Sequence, residues 1–144
     1  MTIIERVIAL QRVRLFADVP GRVLAAVARR ASEHEVVAGA PVIVEGAVED
    51  HLFVVVQGRL RVHHEGHELA TLGPGATVGE LAALVPEPRS ASATALEPSI
   101  LLRIDKPVLD ELLADRPELT TGIIAALVGR LRERVGAEED APRP

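Results

Sequence analysis

Residues 78–91 read Val-Gly-Glu-Leu-Ala-Ala-Leu-Val-Pro-Glu-Pro-Arg-Ser-Ala, and this stretch determines how the rest of the chain is interpreted. Residues 81–84 are good helix formers, although glycine-punctuated β-type runs surround them, so a single helical turn is predicted inside a β region. Two prolines restrict the loop that follows, and we expect this loop to bring Arg89 back to the start of the turn. The segment therefore predicts a compact loop that holds the carboxylate of Glu80 and a guanidinium.

This loop has the chemistry of a site for an anion and a sugar. Free backbone N–H groups at the start of a helical turn favour an anion, and Gly79 lets a ligand approach the backbone closely. Arg89 offers a planar fork to two phosphate oxygens, and Ser90 adds a hydroxyl donor. Glu80 repels a phosphate but accepts a hydrogen bond from a sugar hydroxyl. Together these residues predict that the ligand is a nucleotide.

Short β-type runs separated by glycines extend over residues 34–104, which is typical of many short antiparallel strands joined by tight turns. Residues 52–56 and 59–62 flank Gln57-Gly58, so a hairpin is predicted there. A second turn is predicted within residues 63–67. The middle of the chain is therefore expected to form a barrel or a sandwich.

Helical patterns lie on the N-terminal side of this β region. Thr2 and Glu5 have the spacing of a capping box, which predicts a first short helix. Asp18, ahead of Pro20, is a helix start signal, and the second helix is expected to end near Ser32.

Two further helices are predicted after the β region. Asp105 is expected to cap a helix that reaches Leu113, and a longer helix is expected to begin after Pro117 and to run to about Val135, with Gly136 as its stop. We therefore expect one domain at 1–136, with N-terminal helices at 1–33, a β-barrel at 34–104 containing the loop at 78–91, C-terminal helices at 105–136 and a disordered tail at 137–144.

The composition excludes several functional classes. The chain has 144 residues, a formal net charge of −5 and no cysteine. The negative charge argues against a nucleic-acid-binding surface, and the lack of cysteine excludes disulfides and thiolate chemistry and suits a reducing cytoplasm. The longest uncharged apolar run, residues 122–129, is far shorter than the roughly 18 residues of a membrane span. We expect a cytoplasmic protein without a membrane span or a signal peptide.

The segments Val78-Gly-Glu-Leu-Ala-Ala-Leu84 and Arg89-Ser-Ala91 resemble the phosphate-binding cassette of the cyclic nucleotide-binding domain family, which includes catabolite activator protein and the regulatory subunit of protein kinase A. The resemblance extends over nearly the whole chain. It implies a mainly β fold, an antiparallel double-stranded β-helix or jelly-roll barrel, flanked by N-terminal and C-terminal α-helices. Val78 departs from the family pattern, where an aromatic residue is usual.

The resemblance also implies a function and a set of site residues. In this family the Glu contacts the ribose 2′-hydroxyl and the Arg contacts the cyclic phosphate, which assigns these roles to Glu80 and Arg89. The ligand-binding residues that it implies are Gly79, Glu80, Leu81, Ala82, Arg89, Ser90 and Ala91. The expected function is a non-enzymatic regulatory sensor, with cyclic AMP favoured over cyclic GMP and no other cofactor.

The C-terminal helix is expected to transmit the signal, because in this family that region closes over the base or forms the dimer contact. No aromatic residue follows Phe53, so the lid is expected to be aliphatic or arginine, with Arg130, Leu131 and Arg134 as candidates. No helix-turn-helix pattern follows this helix. The chain is therefore expected to be a stand-alone sensor or the regulatory domain of a larger protein, with an effector in the same chain or in a partner chain, and a homodimer through this helix is a further expectation.

Two alternatives from other functional classes stay open. One is a domain of the same fold that has lost its ligand and acts as a protein-interaction module, with Glu80 complementing the helix dipole and Arg89 pairing with Glu87 on the surface. The other is a metal-dependent cupin-like enzyme that uses His63, His64 and His67 as ligands. No Gly-x-Ser-x-Gly elbow and no cysteine nucleophile occur in the sequence, so a binding module is favoured over an enzyme.

Overall fold

The computed structural model describes residues 1–117, 120–121, 124–125 and 127–128, except for the side chains of residues 81 and 82. A 3₁₀ turn at Arg14–Phe16 lies between the first two helices. The helices are α1 (Ile3–Gln11), α2 (Gly21–Arg30), α3 (Glu80–Leu84) and α4 (Lys106–Asp115). The strands are β1 (Ser32–Val36), β2 (Pro41–Ile43), β3 (Val48–Glu49), β4 (His51–Gln57), β5 (Leu60–His64), β6 (His67–Leu72), β7 (Thr77–Val78), β8 (Glu87–Pro88), β9 (Ser92–Ala95) and β10 (Ser99–Asp105).

The strands form two four-stranded antiparallel sheets and one small pair. The first sheet has the order β1-β10-β4-β7, the second has the order β2-β9-β5-β6, and β3 pairs with β8. This arrangement confirms the predicted mainly β jelly-roll fold with helices at both ends.

The first sheet is buried on both faces, because alternate residues of its central strands belong to two different cores. In β4, Leu52 and Val54 pack with the helices, whereas Phe53 and Val55 pack against the second sheet. The adjacent strand β10 divides in the same way, with Leu102 on the helix side. The continuous apolar run of β4 is therefore the pattern of a strand between two layers.

The helices cover the outer face of the first sheet. Leu24, Val27 and Ala28 of α2 have the spacing of one helical face, and all three are buried. Thr2 caps α1 as predicted, since the backbone N–H of Glu5 donates to the Thr2 hydroxyl at 3.1 Å. The Glu5 carboxylate accepts from the Thr2 hydroxyl at 3.2 Å, so only half of the reciprocal capping box is present among the hydrogen bonds of the described residues. None of the helices in the described part of the chain is long and apolar enough to cross a membrane.

The predicted hairpin at Gln57-Gly58 is wrong. Strands β4 and β5 do not pair, because β4 lies in the first sheet and β5 in the second. Gly58 has φ +97° and the chain changes sheets there, so the two apolar runs that flank it face different neighbours. The second predicted turn is confirmed, and it joins β5 to β6 through Glu65 and Gly66, which both have positive φ.

Two predicted helix signals act differently in the structure. Pro20, rather than Asp18, occupies the N-cap position of α2, and this helix ends at Arg30. Asp105 occupies the N-cap position of α4 without a capping hydrogen bond, because its carboxylate accepts a hydrogen bond from Arg103 Nε at 2.8 Å. After α4, the described residues 117, 120–121, 124–125 and 127–128 are helical, as predicted, and the remainder of the predicted helix lies outside the described residues.

Candidate functional site

The cassette, residues 78–91, follows β7 and contains the predicted helical turn. Strand β7 pairs with β4 through Val78 and Phe53, and the chain then turns at Gly79, which has φ +87°. Helix α3 follows as a single turn, and Ala83 anchors it in the helix-side core. Its last carbonyls are satisfied by α4, because Lys106 Nζ donates to the carbonyl of Leu84 at 3.0 Å.

Arg89 returns to the start of this turn, as the sequence predicted. Its Nη1 donates to the carbonyl of Gly79 at 3.1 Å, and its Nη2 donates to the carbonyl of His51 at 2.7 Å. The backbone of Arg89 is also fixed, because its N–H donates to the carbonyl of Ala47 and its carbonyl accepts from the N–H of Gly46, both at 2.9 Å. Arg89 is therefore held at both ends of its side chain.

The guanidinium is more enclosed than we expected from the sequence. Arg89 is only 6% exposed, so the surface pairing with Glu87 that the ligand-free alternative implied is wrong. Its ion-pair partner is Glu49, whose Oε1 lies 3.5 Å from Arg89 Nε. The antiparallel pairing of β3 with β8 brings Glu49 to this position. Among the described residues, the buried Nε atom has no hydrogen-bond partner.

A side chain at Gly79 would displace the Arg89 guanidinium as well as strain the turn. A Cβ atom built at this position would lie 2.4 Å from Arg89 Nη1, a separation that non-bonded atoms do not tolerate. The positive φ of Gly79 is also a conformation that side-chain-bearing residues rarely adopt. The space that the glycine leaves open is therefore filled by the guanidinium, which explains the glycine without a ligand.

His51 and Glu49 are site residues that sequence reasoning missed. His51 is buried at the start of β4, and its ring packs edge-on against Phe53 with centroids 5.1 Å apart. Burial lowers the pKa of His51 below its ordinary value of 6.5. Its Nε2 lies 3.6 Å from Glu49 Oε2, so one carboxylate lies beside both Arg89 and His51.

The other predicted ligand-binding residues lie along the same segment. Glu80 is the first residue of α3 and is buried, with 7% of its surface exposed. Ser90 is exposed, and Ala91 is half-buried. Leu81 and Ala82 belong to α3, but their side chains are outside the described part of the structure, as are the candidate lid residues Arg130, Leu131 and Arg134.

Within the described part of the structure, two of the three histidines of the β5–β6 hairpin have side-chain partners. His63 Nε2 lies 2.9 Å from Thr94 Oγ1, and His64 Nδ1 lies 2.9 Å from Glu45 Oε2. In the described ranges of the chain, no group of three or more histidine, aspartate and glutamate residues could hold a metal ion. The geometry therefore offers no support for the cupin-like alternative.

A sequence profile of the cyclic nucleotide-binding domain matches residues 33–116. This range includes the cassette and the strands β3 and β4, which supply the Arg89 partners Glu49 and His51. This match covers more than half of the chain. The chain belongs to the cyclic nucleotide-binding domain family.

Individual relatives of this cyclic nucleotide-binding domain include regulators. The CRP-like cAMP-activated global transcriptional regulator of Mycobacterium tuberculosis is 30% identical over 128 residues, which cover 85% of this chain and 57% of the regulator. The chain therefore spans little more than half the length of this relative.

Solved structures show the same fold. The N-terminal domain of a transcriptional regulator from Streptomyces coelicolor is 32% identical, with a TM-score of 0.75 and coverage of 90% of this chain and 94% of that domain. The regulatory domain of Toxoplasma gondii PKA, solved with cAMP, is 25% identical, with a TM-score of 0.71 and coverage of 76% and 44%. The domain is therefore homologous to both transcriptional regulators and kinase regulatory subunits.

Proposed function

We propose that this domain binds a cyclic nucleotide, with cyclic AMP preferred over cyclic GMP, and acts as a non-enzymatic sensor. Family membership supports the ligand class. The preference for cyclic AMP is supported by the relatives, since the Mycobacterium tuberculosis regulator is described as cAMP-activated and the Toxoplasma gondii regulatory domain was solved with cAMP. One arginine in the cassette also matches the single negative charge of a cyclic nucleotide.

The observation that carries this proposal is the buried guanidinium of Arg89. A guanidinium has five N–H groups, and the described residues accept hydrogen bonds from one on Nη1 and one on Nη2. Its buried Nε has no hydrogen-bond partner among the residues that the structure describes. Because a buried donor without an acceptor is costly, an anion that supplies oxygen acceptors is the natural occupant of this position. A phosphate that accepts from Arg89 meets this requirement.

Glu80 is proposed to read the sugar. Glu80 directly follows Gly79 in the chain. Arg89 donates a hydrogen bond to the Gly79 carbonyl, so its guanidinium lies at the same turn as Glu80. A carboxylate accepts hydrogen bonds and donates none when ionised, which suits a ribose 2′-hydroxyl rather than a phosphate. Gly79, Leu81, Ala82, Ser90 and Ala91 are proposed to complete the contact surface of the cassette.

The C-terminal helices are proposed to transmit binding to an effector or to a second copy of the chain. Lys106 of α4 donates to the α3 carbonyls, so a shift of the cassette reaches α4 directly. Farther along, Ile124 is 55% exposed and Val128 is 39% exposed, and their four-residue spacing gives one apolar helical face. We propose that this face, together with the lid candidates Arg130, Leu131 and Arg134, covers either the base of the ligand or a partner surface. We also propose that the protein acts in the cytoplasm.

Calorimetric titrations with cyclic AMP, cyclic GMP and the non-cyclic nucleotide 5′-AMP test this proposal. We expect cyclic AMP to bind more tightly than cyclic GMP. We expect 5′-AMP to bind weakly, because its second negative charge faces a site with one arginine beside Glu49 and Glu80. Tighter binding of 5′-AMP than of cyclic AMP would overturn the ligand assignment, and tighter binding of cyclic GMP would overturn the preference.

One observation favours a second candidate, the ligand-free interaction module. Arg89 already has two carbonyl acceptors and a carboxylate counter-ion, so its charge is partly neutralised without any ligand. In that case the guanidinium only braces the cassette. The absence of heat with all three nucleotides at millimolar concentration would favour this candidate.

A further inference from the structure

The carboxylate of Glu49 lies between the guanidinium of Arg89 and the imidazole of His51. Its Oε1 is 3.5 Å from Arg89 Nε, and its Oε2 is 3.6 Å from His51 Nε2. Both separations are longer than those of short hydrogen bonds, so neither side chain holds the carboxylate tightly. Glu49 is also partly exposed, whereas the side chains of His51 and Arg89 are buried, so Glu49 is the member of the three that has room to move.

His51 is connected to Arg89 in two ways, one direct and one indirect. Its backbone carbonyl accepts a hydrogen bond directly from Arg89 Nη2. Its imidazole reaches the same guanidinium indirectly, through Glu49. The ring packs against Phe53 in a T-shaped arrangement, which restricts its orientation. A change in the charge of the imidazole therefore acts on Glu49 and, through it, on Arg89.

Charged groups from three neighbouring parts of the chain face His51. Arg103 and Arg89 disfavour a positive charge on the ring, and Glu49 and Asp105 favour it. Arg103 and Asp105 are themselves paired at 2.8 Å, so they largely offset each other. Burial is the largest influence, and together with Arg103 it lowers the pKa of His51 below 6.5, so the ring is mostly neutral at pH 7.

We propose that His51 is a positioning residue for phosphate binding, because its imidazole and the Arg89 guanidinium share the Glu49 carboxylate and compete for it. This inference rests on the proposed binding of a cyclic nucleotide. When the imidazole is neutral, Glu49 stays with Arg89 and opposes an incoming phosphate. When the imidazole is protonated, it draws Glu49 away, and the charge of Arg89 is available to the ligand.

Linkage turns this competition into a measurable pH dependence. Because phosphate binding displaces Glu49 from Arg89 towards His51, and adds a negative charge nearby, it raises the pKa of His51. Binding then takes up a proton at a pH close to this pKa, and the affinity rises as the pH falls. A rise of half a pKa unit on binding corresponds to about threefold tighter binding once the pH lies below the pKa of free His51, relative to about pH 8.

The test is calorimetry of cyclic AMP binding in two buffers of different ionisation enthalpy at several pH values between about 5 and 8, together with dissociation constants over the same range. We expect proton uptake on binding and an affinity that rises as the pH falls in the wild-type protein. Both should vanish in His51→Gln and persist in His34→Gln, a matched control whose ring also packs edge-on against Phe53. Equal proton uptake in the wild type and His51→Gln, or no uptake in the wild type, overturns the inference while leaving nucleotide binding intact.

A second measurement needs no ligand and separates this inference from the proposed function. In the free protein, a proton NMR titration should show a lower pKa for His51 in Glu49→Gln than in the wild type, because the variant lacks the carboxylate that stabilises the protonated ring. An unchanged pKa would mean that the two side chains do not interact, and would overturn the inference even if cyclic AMP binds. A lowered pKa in a protein that binds no nucleotide would leave the Glu49–His51 contact standing and remove the phosphate from the proposal.

Discussion

Arg89 joins the two ends of the cassette to the start of β4. Its guanidinium donates to the carbonyls of Gly79 and His51, and its backbone bonds to Gly46 and Ala47. A residue with this many protein partners contributes to the fold as well as to the proposed phosphate contact. Stability and binding should therefore both depend on it.

Replacing Arg89 with alanine is expected to lower the free energy of unfolding by about 1 to 3 kcal/mol, because two carbonyls lose their donor and Glu49 loses its counter-ion. Urea unfolding measures this change. Arg103→Ala is the control, since Arg103 is partly exposed and pairs with Asp105, and its loss should cost less than about 1 kcal/mol. An equal or smaller cost for Arg89→Ala would show that the guanidinium does not brace the loop.

Glu80 can be tested with a ligand that lacks the ribose 2′-hydroxyl. If the carboxylate accepts from this hydroxyl, 2′-deoxy cyclic AMP should bind at least about tenfold more weakly to the wild type, because a charged hydrogen bond is lost. The same ligand change should have little effect in Glu80→Ala, where no acceptor remains. Titration calorimetry of both ligands with both proteins gives the coupling. Identical discrimination in the two proteins would remove Glu80 from sugar recognition.

The two residues with a direct proposed role were predictable from local sequence, whereas their supporting residues were not. Glu80 and Arg89 lie in one motif with restricting prolines between them. Glu49 lies far away in sequence and reaches Arg89 only through the pairing of β3 with β8. The sequence offers one indication of His51, because an ionisable residue precedes the apolar run of β4. The sequence does not show which charged side chains face this histidine.

At the scale of the elements, Gly58 explains why local sequence predicted a false hairpin. Two apolar runs around Gln57-Gly58 have the pattern of paired strands, but a pattern does not state which sheet each run joins. In the structure, tertiary packing decides which sheet each of the two runs joins. A Cβ atom at Gly58 would lie 2.1 Å from Ser99 Oγ, so the chain passes close against β10 as it leaves the first sheet for the second.

This crossing predicts that Gly58→Ala destabilises the domain much more than Gly66→Ala. Both glycines have positive φ, so alanine at either position costs about 1 to 2 kcal/mol in backbone strain. A methyl group at Gly66 would meet nothing within 4 Å, whereas one at Gly58 would collide with Ser99, which costs about 1 to 3 kcal/mol more. Denaturant unfolding of both variants gives the difference, and equal losses would mean that the crossing is loosely packed.

For the whole molecule, the proposed ligand site is part of the same fold that the two cores stabilise. Strand β4 supplies side chains to both cores, and its first residue supplies a carbonyl to Arg89. A ligand that binds only this folded arrangement must stabilise it. At about 100 times its dissociation constant, cyclic AMP should add about 2.7 kcal/mol and raise the melting temperature by roughly 5 to 10 °C. An unchanged melting temperature at millimolar cyclic AMP would support the ligand-free module.

The most direct measurement is a calorimetric titration of cyclic AMP into the wild-type protein and into Arg89→Lys. Lysine keeps the positive charge but loses the planar fork that holds both carbonyls and offers further donors to a phosphate. We predict saturable binding of one cyclic AMP per wild-type chain and at least about tenfold weaker binding to the variant. Binding of equal strength to both proteins would contradict phosphate recognition by Arg89, and no binding to the wild type would contradict the proposed function itself.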